Sequence, residues 1–250
     1  MDLAKFKCGL RPSKHQQEDN TKYKFSILDY KKTLPDEYSL RDLFIPFFQE
    51  YQDCASVSTI RHVMALKGIK DQLSVLYQYH FARKLDGTED MDDGSSIDHN
   101  MMSVIYHGYV SDQVFQYNKH NLQIEPCKSV IDIGNSHAHE FSAYRKLIQN
   151  LWNLKYVISV LKKPIVFGSK VYLSFFNLDK YNCVPIPNEQ ERLNDNGLVG
   201  MHAMVIVAYD TKSQRFGIQN SWEFGESGYH FIPYSYILDH SLCFDFFVLE

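Results

Sequence analysis

The sequence predicts an α+β fold, with helices in the first half and an antiparallel sheet in the second. Two patterns predict it. Between Asp53 and Leu85 apolar residues recur at close to helical spacing, and after Pro164 the chain turns into β-branched and aromatic runs separated by turn residues. Composition agrees, since 250 residues with 44% hydrophobic and 22% charged side chains can bury a core as one large domain or two lobes. A cleft is expected where two such lobes meet.

In chain order, residues 1–34 are polar and irregular apart from "YKFSILDY", and read as an N-terminal strap laid over a main domain at 35–250. A helical lobe is expected at about 35–140 and a β-rich lobe at about 141–250. "DCASVSTIRHVMALKG" places Val57, Ile60, Val63, Met64 and Leu66 near a 3.6-residue period, with Gly68 as C-cap, so Cys54 falls in the first turn. Asp53 is positioned to cap that helix. "DQLSVLYQYHFARKL" reads as a second helix with Ser74 as cap, and "IDHNMMSVIYHG" as a third. "DGTEDMDDGSS" is a solvated loop on the cleft rim that lacks the ligand spacing of a calcium site. Ala143 to Lys163 is helical in composition. Five strands follow, in "PIVFGSKVYLSFF", "GMHAMVIVAYD", "RFGIQNSW", "GYHFIPYSYI" and "CFDFFVLE".

The net charge of -4 and the scattered lysines argue against nucleic acid as a partner. No window approaches the length of a membrane span, and the N-terminus lacks the apolar region of a signal peptide. Five widely spaced cysteines do not form a disulfide framework and suit a reducing compartment. The expected setting is soluble and intracellular, in cytoplasm or a particle assembled within cells. The "HAH" at His137 to His139 has no standard zinc spacing, so no metal and no cofactor are expected.

Free cysteine is a common buried residue, so Cys54 alone identifies nothing. A helix N-terminus does favour a thiolate, however, and a cysteine nucleophile also needs a base and a group to orient it. His202, among apolar neighbours in a strand, fits the base. Asn220, eighteen residues later in "QNSW", can hold the imidazole, with Trp222 shielding that bond from water.

The order Cys54, His202, Asn220 and the 148-residue spacing of the first two resemble the papain-like cysteine proteases. "LPDEYSLRD" is similar to that family's "LPxxxDLR", and "CASVS" to its "CWAFA" or "CxAxA". "KKPIVFGSKVYLSF" is similar to "GxPVxxGxxVYxSF" of short prokaryotic and large-DNA-virus members. "HAMVIVAYD" resembles "HAVVIVGYD", and "IQNSWEFGESGYHFIPYSYI" resembles "IKNSWGxxWGxxGYFxIPYxYL". The likeness runs from about Leu34 to the C-terminus.

It implies a two-lobed fold and hydrolysis of polypeptides by a Cys54–His202–Asn220 triad through a thioester. Gly94 and Ser95, in "DGSSID", match the segment that pairs with substrate backbone. Met201 and Trp222 are expected to line the substrate site, Met201 beside an apolar pocket. Cys54 is expected to alkylate faster than the other four thiols.

Three departures stand out. The family's oxyanion glutamine lies six residues before the cysteine, where this chain has Phe48; Gln49 is expected to serve in its place, with Gln52 in reserve. Asp53 puts a negative charge beside the thiol and opposes its ionisation. The second tryptophan after Asn220 is replaced by Phe224. These departures leave a second reading open, a weak or silent papain-fold protein with a binding or structural role. The strap is too short and irregular for the family's inhibitory pro-domain, so no zymogen domain is expected and the strap is read as part of the fold.

Overall fold

The structure is a computed structural model that describes residues 3–13 and 29–250. Most of "YKFSILDY" lies outside the described residues. Strand β1 (Leu10–Arg11) belongs to the N-terminal segment, and β2 (Glu37–Ser39) follows it. Next come α1 (Cys54–Lys67), α2 (Val75–Asp86), β3 (Ser95–Ser96), α3 (Ile97–His107) and α4 (Lys128–Asn135). The second half holds β4 (Tyr144–Lys146), α5 (Leu151–Ser159), β5 (Ile165–Tyr172), α6 (Glu189–Arg192), β6 (Leu198–Asp210), β7 (Arg215–Gln219), β8 (Tyr229–Pro233), α7 (Tyr234–Ile237) and β9 (Cys243–Leu249). The fold is α+β as expected.

The sheet runs β4-β9-β5-β6-β7-β8, with β2 paired to β6, and every ladder is antiparallel. β2 thus joins a sheet whose other strands all lie after residue 143. One apolar cluster fills the β-rich side around Phe167, Phe175, Phe216 and Phe246. A second joins α1 and α3 to the sheet through Val57, Ile60, Ile97, Val166, Val205 and Phe247. A third lies under α2.

Helix α1 is central: twelve of its fourteen residues are buried, polar ones included. It stops where Gly68 takes a left-handed conformation, φ 66°, and donates its N–H to Met64. At α2 the Ser74 hydroxyl accepts from the Tyr77 N–H and donates to the Phe115 carbonyl. Ser74→Ala removes both bonds from a buried site and is expected to lower stability by about 1–2 kcal/mol, read by urea denaturation.

Two expectations are corrected. Ala143 to Lys163 is not one helix: Tyr144–Lys146 pairs with β9, and Asn150 caps a shorter helix by accepting from the Asn153 N–H. Asp53 precedes α1 but makes no side-chain cap bond.

Candidate functional site

The site is assembled from three elements. Cys54 opens α1, His202 lies mid-strand in β6 opposite Ser169 of β5, and Asn220 is the residue after β7. All three are fully buried. Cys54 packs in one apolar cluster with Ala203, the residue next in chain to His202.

His202 Nε2 lies 2.8 Å from Asn220 Oδ1. The Trp222 N–H donates to the same oxygen at 3.1 Å, which fixes it as the amide oxygen and therefore requires the proton on Nε2. Among the described residues Nδ1 has no partner. The Trp222 ring stacks on the imidazole at 3.7 Å and 14°, covering the His202–Asn220 bond. Phe224, in place of the second tryptophan, stacks on Phe175.

Gln49 reaches this group despite its altered spacing. Its N–H donates to the Ser221 carbonyl at 2.8 Å, and its side-chain Oε1 accepts from the Ser221 hydroxyl. With Oε1 held, Nε2 points to the Lys7 carbonyl at 3.3 Å and the Tyr51 carbonyl at 2.8 Å. The main-chain N–H of Gln52, the reserve candidate, donates to Asp92, and its side-chain Oε1 is buried with no hydrogen-bond partner among the described residues.

The groove over these residues is filled by the N-terminal segment. Trp222 Nε1 donates to the Lys7 carbonyl at 3.2 Å, so that oxygen faces two side-chain donors, Gln49 and Trp222. Gly9 accepts from the Ser95 N–H at 3.0 Å and forms a parallel bridge to Met201. β1 then pairs in parallel with β3. A Cβ on Gly9 would sit 1.9 Å from the Gln52 carbonyl oxygen, and one on Gly94 would sit 1.7 Å from the Gly9 oxygen, so both positions need glycine.

Leu10 is buried against Gly168, with Phe244 alongside. Arg11 donates to the Asp93 carbonyl and pairs with its carboxylate, and the Ser13 N–H donates to Asp245. On the other side, Phe6 packs on Phe176 and Trp222 at 4.5 and 5.2 Å. Gly94, Ser95, Met201 and Trp222, expected to meet substrate, all meet this segment instead. The strap therefore lies in the groove.

Burial without water sets the resting charges. It pushes the Cys54 thiol well above its ordinary range, and the Ala203 N–H offsets little of that. It lowers His202 to about 3, against a smaller opposing effect of the Asn220 bond. Both shifts favour the neutral thiol and the neutral imidazole over the ion pair. Among the five thiols, Cys127 is exposed, and a bond with Ser129 lowers its pKa. With the strap in place Cys54 is fully buried and Cys127 is the exposed thiol, which runs against the expectation that Cys54 alkylates fastest.

Asp53 is fully buried behind Cys54. The Tyr117 hydroxyl donates to Oδ2 at 2.8 Å, while Oδ1 has no partner among the described residues. Burial, partly offset by the Tyr117 bond, raises Asp53 to about 7. The folded protein then keeps a proton that the unfolded chain releases near 4, so this group's contribution to stability falls as pH rises from about 4 to 7. Asp53→Asn is expected to flatten that fall, read as the difference between the two proteins' urea midpoints at pH 4.5 and 7.5.

His137, singled out in the sequence, bonds Glu140 and stacks on Tyr109. No helix among the described residues is long and apolar enough to cross a membrane. A cavity of about 580 Å³ between β2, β6, β7 and β8, lined by Glu37, Asp210, Arg215 and Phe231 among others, contains none of Cys54, His202 and Asn220.

No protein-family model matches the chain. It is 25% identical over 187 residues to an uncharacterised peptidase C1-like protein of Acanthamoeba polyphaga mimivirus, covering 71% of this chain. The chain spans 58% of that relative's length. Among solved structures, xylellain, a cysteine protease from Xylella fastidiosa, superposes with a TM-score of 0.85 at 22% identity, covering 98% of this chain and 96% of the other. The digestive procathepsin L 3 of Tenebrio molitor larval midgut superposes at 0.68 and 17% identity, covering 99% and 76%. The chain has the papain-like fold.

Proposed function

We propose that the protein is a cysteine peptidase that hydrolyses peptide bonds through Cys54, His202 and Asn220, and that its N-terminal segment holds it latent. The reading is carried by the imidazole of His202. Asn220 holds its Nε2–H under the Trp222 ring, while among the described residues its Nδ1 has no partner and Cys54 packs against Ala203, the next residue. A base fixed in one tautomer beside a thiol at a helix N-terminus is what thiol acyl transfer needs. The peptidase names of the relatives agree.

With the groove open, His202 Nδ1 takes the Cys54 proton and the sulfur attacks the peptide carbonyl. The resulting oxyanion is met by the Cys54 N–H and by Gln49 Nε2. The C–N bond breaks as His202 returns the proton to the leaving amine, leaving a thioester. Water, deprotonated by His202, cleaves it. Leu10 marks an apolar subsite beside the reacting centre, and the chemistry requires no cofactor.

The test is hydrolysis of an unfolded polypeptide by the chain and by its strap-released Gly9→Val form, each with and without Cys54→Ala. Hydrolysis that Cys54→Ala lowers roughly 10⁴-fold supports the reading. If Cys54 alkylates quickly in the released form and no polypeptide is cut, a non-hydrolytic role replaces it.

A further inference from the structure

Arg61 follows Cys54 by seven residues on α1, two helical turns, so the two side chains leave the same face. It is 4% exposed. Its Nη1 donates to the Asn220 carbonyl at 3.1 Å and its Nη2 to the Ile45 carbonyl, with the guanidinium 5.9 Å from the Phe44 ring centre. Among the described residues its hydrogen-bond partners are carbonyls, no ion pair includes it, and Nε has no partner.

A buried cation satisfied by carbonyls alone is an expensive choice for packing, where an apolar side chain of similar volume would serve. What it reaches gives it a use. Ile45 precedes Gln49 by four residues, and Gln49 docks on Ser221. Asn220 holds the His202 imidazole. Two donors on one planar group thus join the helix bearing Cys54 to the segments bearing Gln49 and Asn220. Lysine, a point charge without the fork, cannot make both bonds in this geometry.

We propose that Arg61 is the positioning residue of the site, a brace that fixes Asn220, and through it the His202 tautomer, relative to the nucleophile's helix. Its consequence for catalysis rests on the peptidase reading; its effect on the imidazole does not, and the test reads the imidazole. Asn220 is otherwise tied through its own N–H to the Gly228 carbonyl and through Oδ1 to the Trp222 N–H, both local to the turn after β7. Only Arg61 carries Asn220 across to α1 among these bonds.

The experiment is NMR of the full chain labelled uniformly with ¹⁵N, the His202 Nε2–H signal being assigned by its disappearance in His202→Gln. In Arg61→Met the exchange of that proton with water is expected to accelerate about tenfold or more, as the Asn220 acceptor loses its anchor. The Leu249 amide, which donates to Nε2 of neighbouring His62 at 3.0 Å, is expected to keep its protection and serves as the packing reference. Should Arg61→Met fail to fold, Arg61→Lys, which keeps the charge and one bond, is expected to accelerate the same exchange about threefold. An unchanged His202 signal in the folded variant overturns the proposal. So does equal loss of protection at His202 and Leu249, which would make Arg61 a general packing residue. Absence of peptidase activity in any form leaves this readout untouched and counts only against the peptidase reading.

Discussion

Gly9→Val is expected to speed alkylation of Cys54 roughly 100-fold relative to the unaltered chain, a change of about 2.7 kcal/mol in access to the thiol. At Gly9 the segment touches backbone on two sides: its carbonyl accepts from Ser95, and the space of its missing side chain is taken by the Gln52 carbonyl. Backbone cannot yield as a flexible side chain does, so a valine there must lift the segment. Leu10 in its pocket, the Arg11–Asp93 pair and the Ser13–Asp245 bond oppose release, which sets the size of the effect below complete opening. Mass spectrometry after brief iodoacetamide treatment reads each thiol separately. In the unaltered chain Cys127 should label first and Cys54 little; in Gly9→Val, Cys54 should join Cys127, while Cys243, buried in the β-rich core, stays protected. An unchanged Cys54 rate in a folded Gly9→Val protein would falsify the view that this segment closes the groove.

The sequence carried His202, Asn220 and Trp222 well, because strand, turn and aromatic cover follow one another within a short stretch and each residue type has one chemical use there. Cys54 was legible by the helix that starts at it. Gln49 was only half legible: its place is fixed by Ser221, a contact spanning 172 residues, and no local count can say which glutamine that contact selects. Arg61 was invisible for a related reason. A central helix buried on nearly every side has no polar face, so an arginine in it looks like any solvated one. The strap's path was also hidden, since two-residue strands have no period to detect and the Gly9–Gln52 approach depends on the folded groove. Likewise Tyr144–Lys146 reads as helix by composition, and becomes strand because β9 offers an edge.

Gln49→Ala is expected to lower kcat about 100-fold, near 3 kcal/mol, with KM changed less than about twofold, when measured on polypeptide hydrolysis in the Gly9→Val background. The background matters, because in the closed chain Gln49 Nε2 is engaged by the Lys7 and Tyr51 carbonyls and strap opening would limit the rate. The split between kcat and KM follows from what Nε2 meets: a carbonyl oxygen before attack and a full negative charge after it, so the bond strengthens mainly in the transition state. Ser221→Ala separates orientation from presence. It frees Oε1, lets the amide rotate and should cost less than Gln49→Ala, while the main-chain bond from Gln49 to Ser221 keeps the loop docked. Equal effects of the two would mean that orientation by Ser221 accounts for all that Gln49 contributes. No effect of Gln49→Ala would leave the Cys54 N–H as the sole oxyanion donor of this pair and return the search to Trp222 Nε1, the other donor on the Lys7 oxygen.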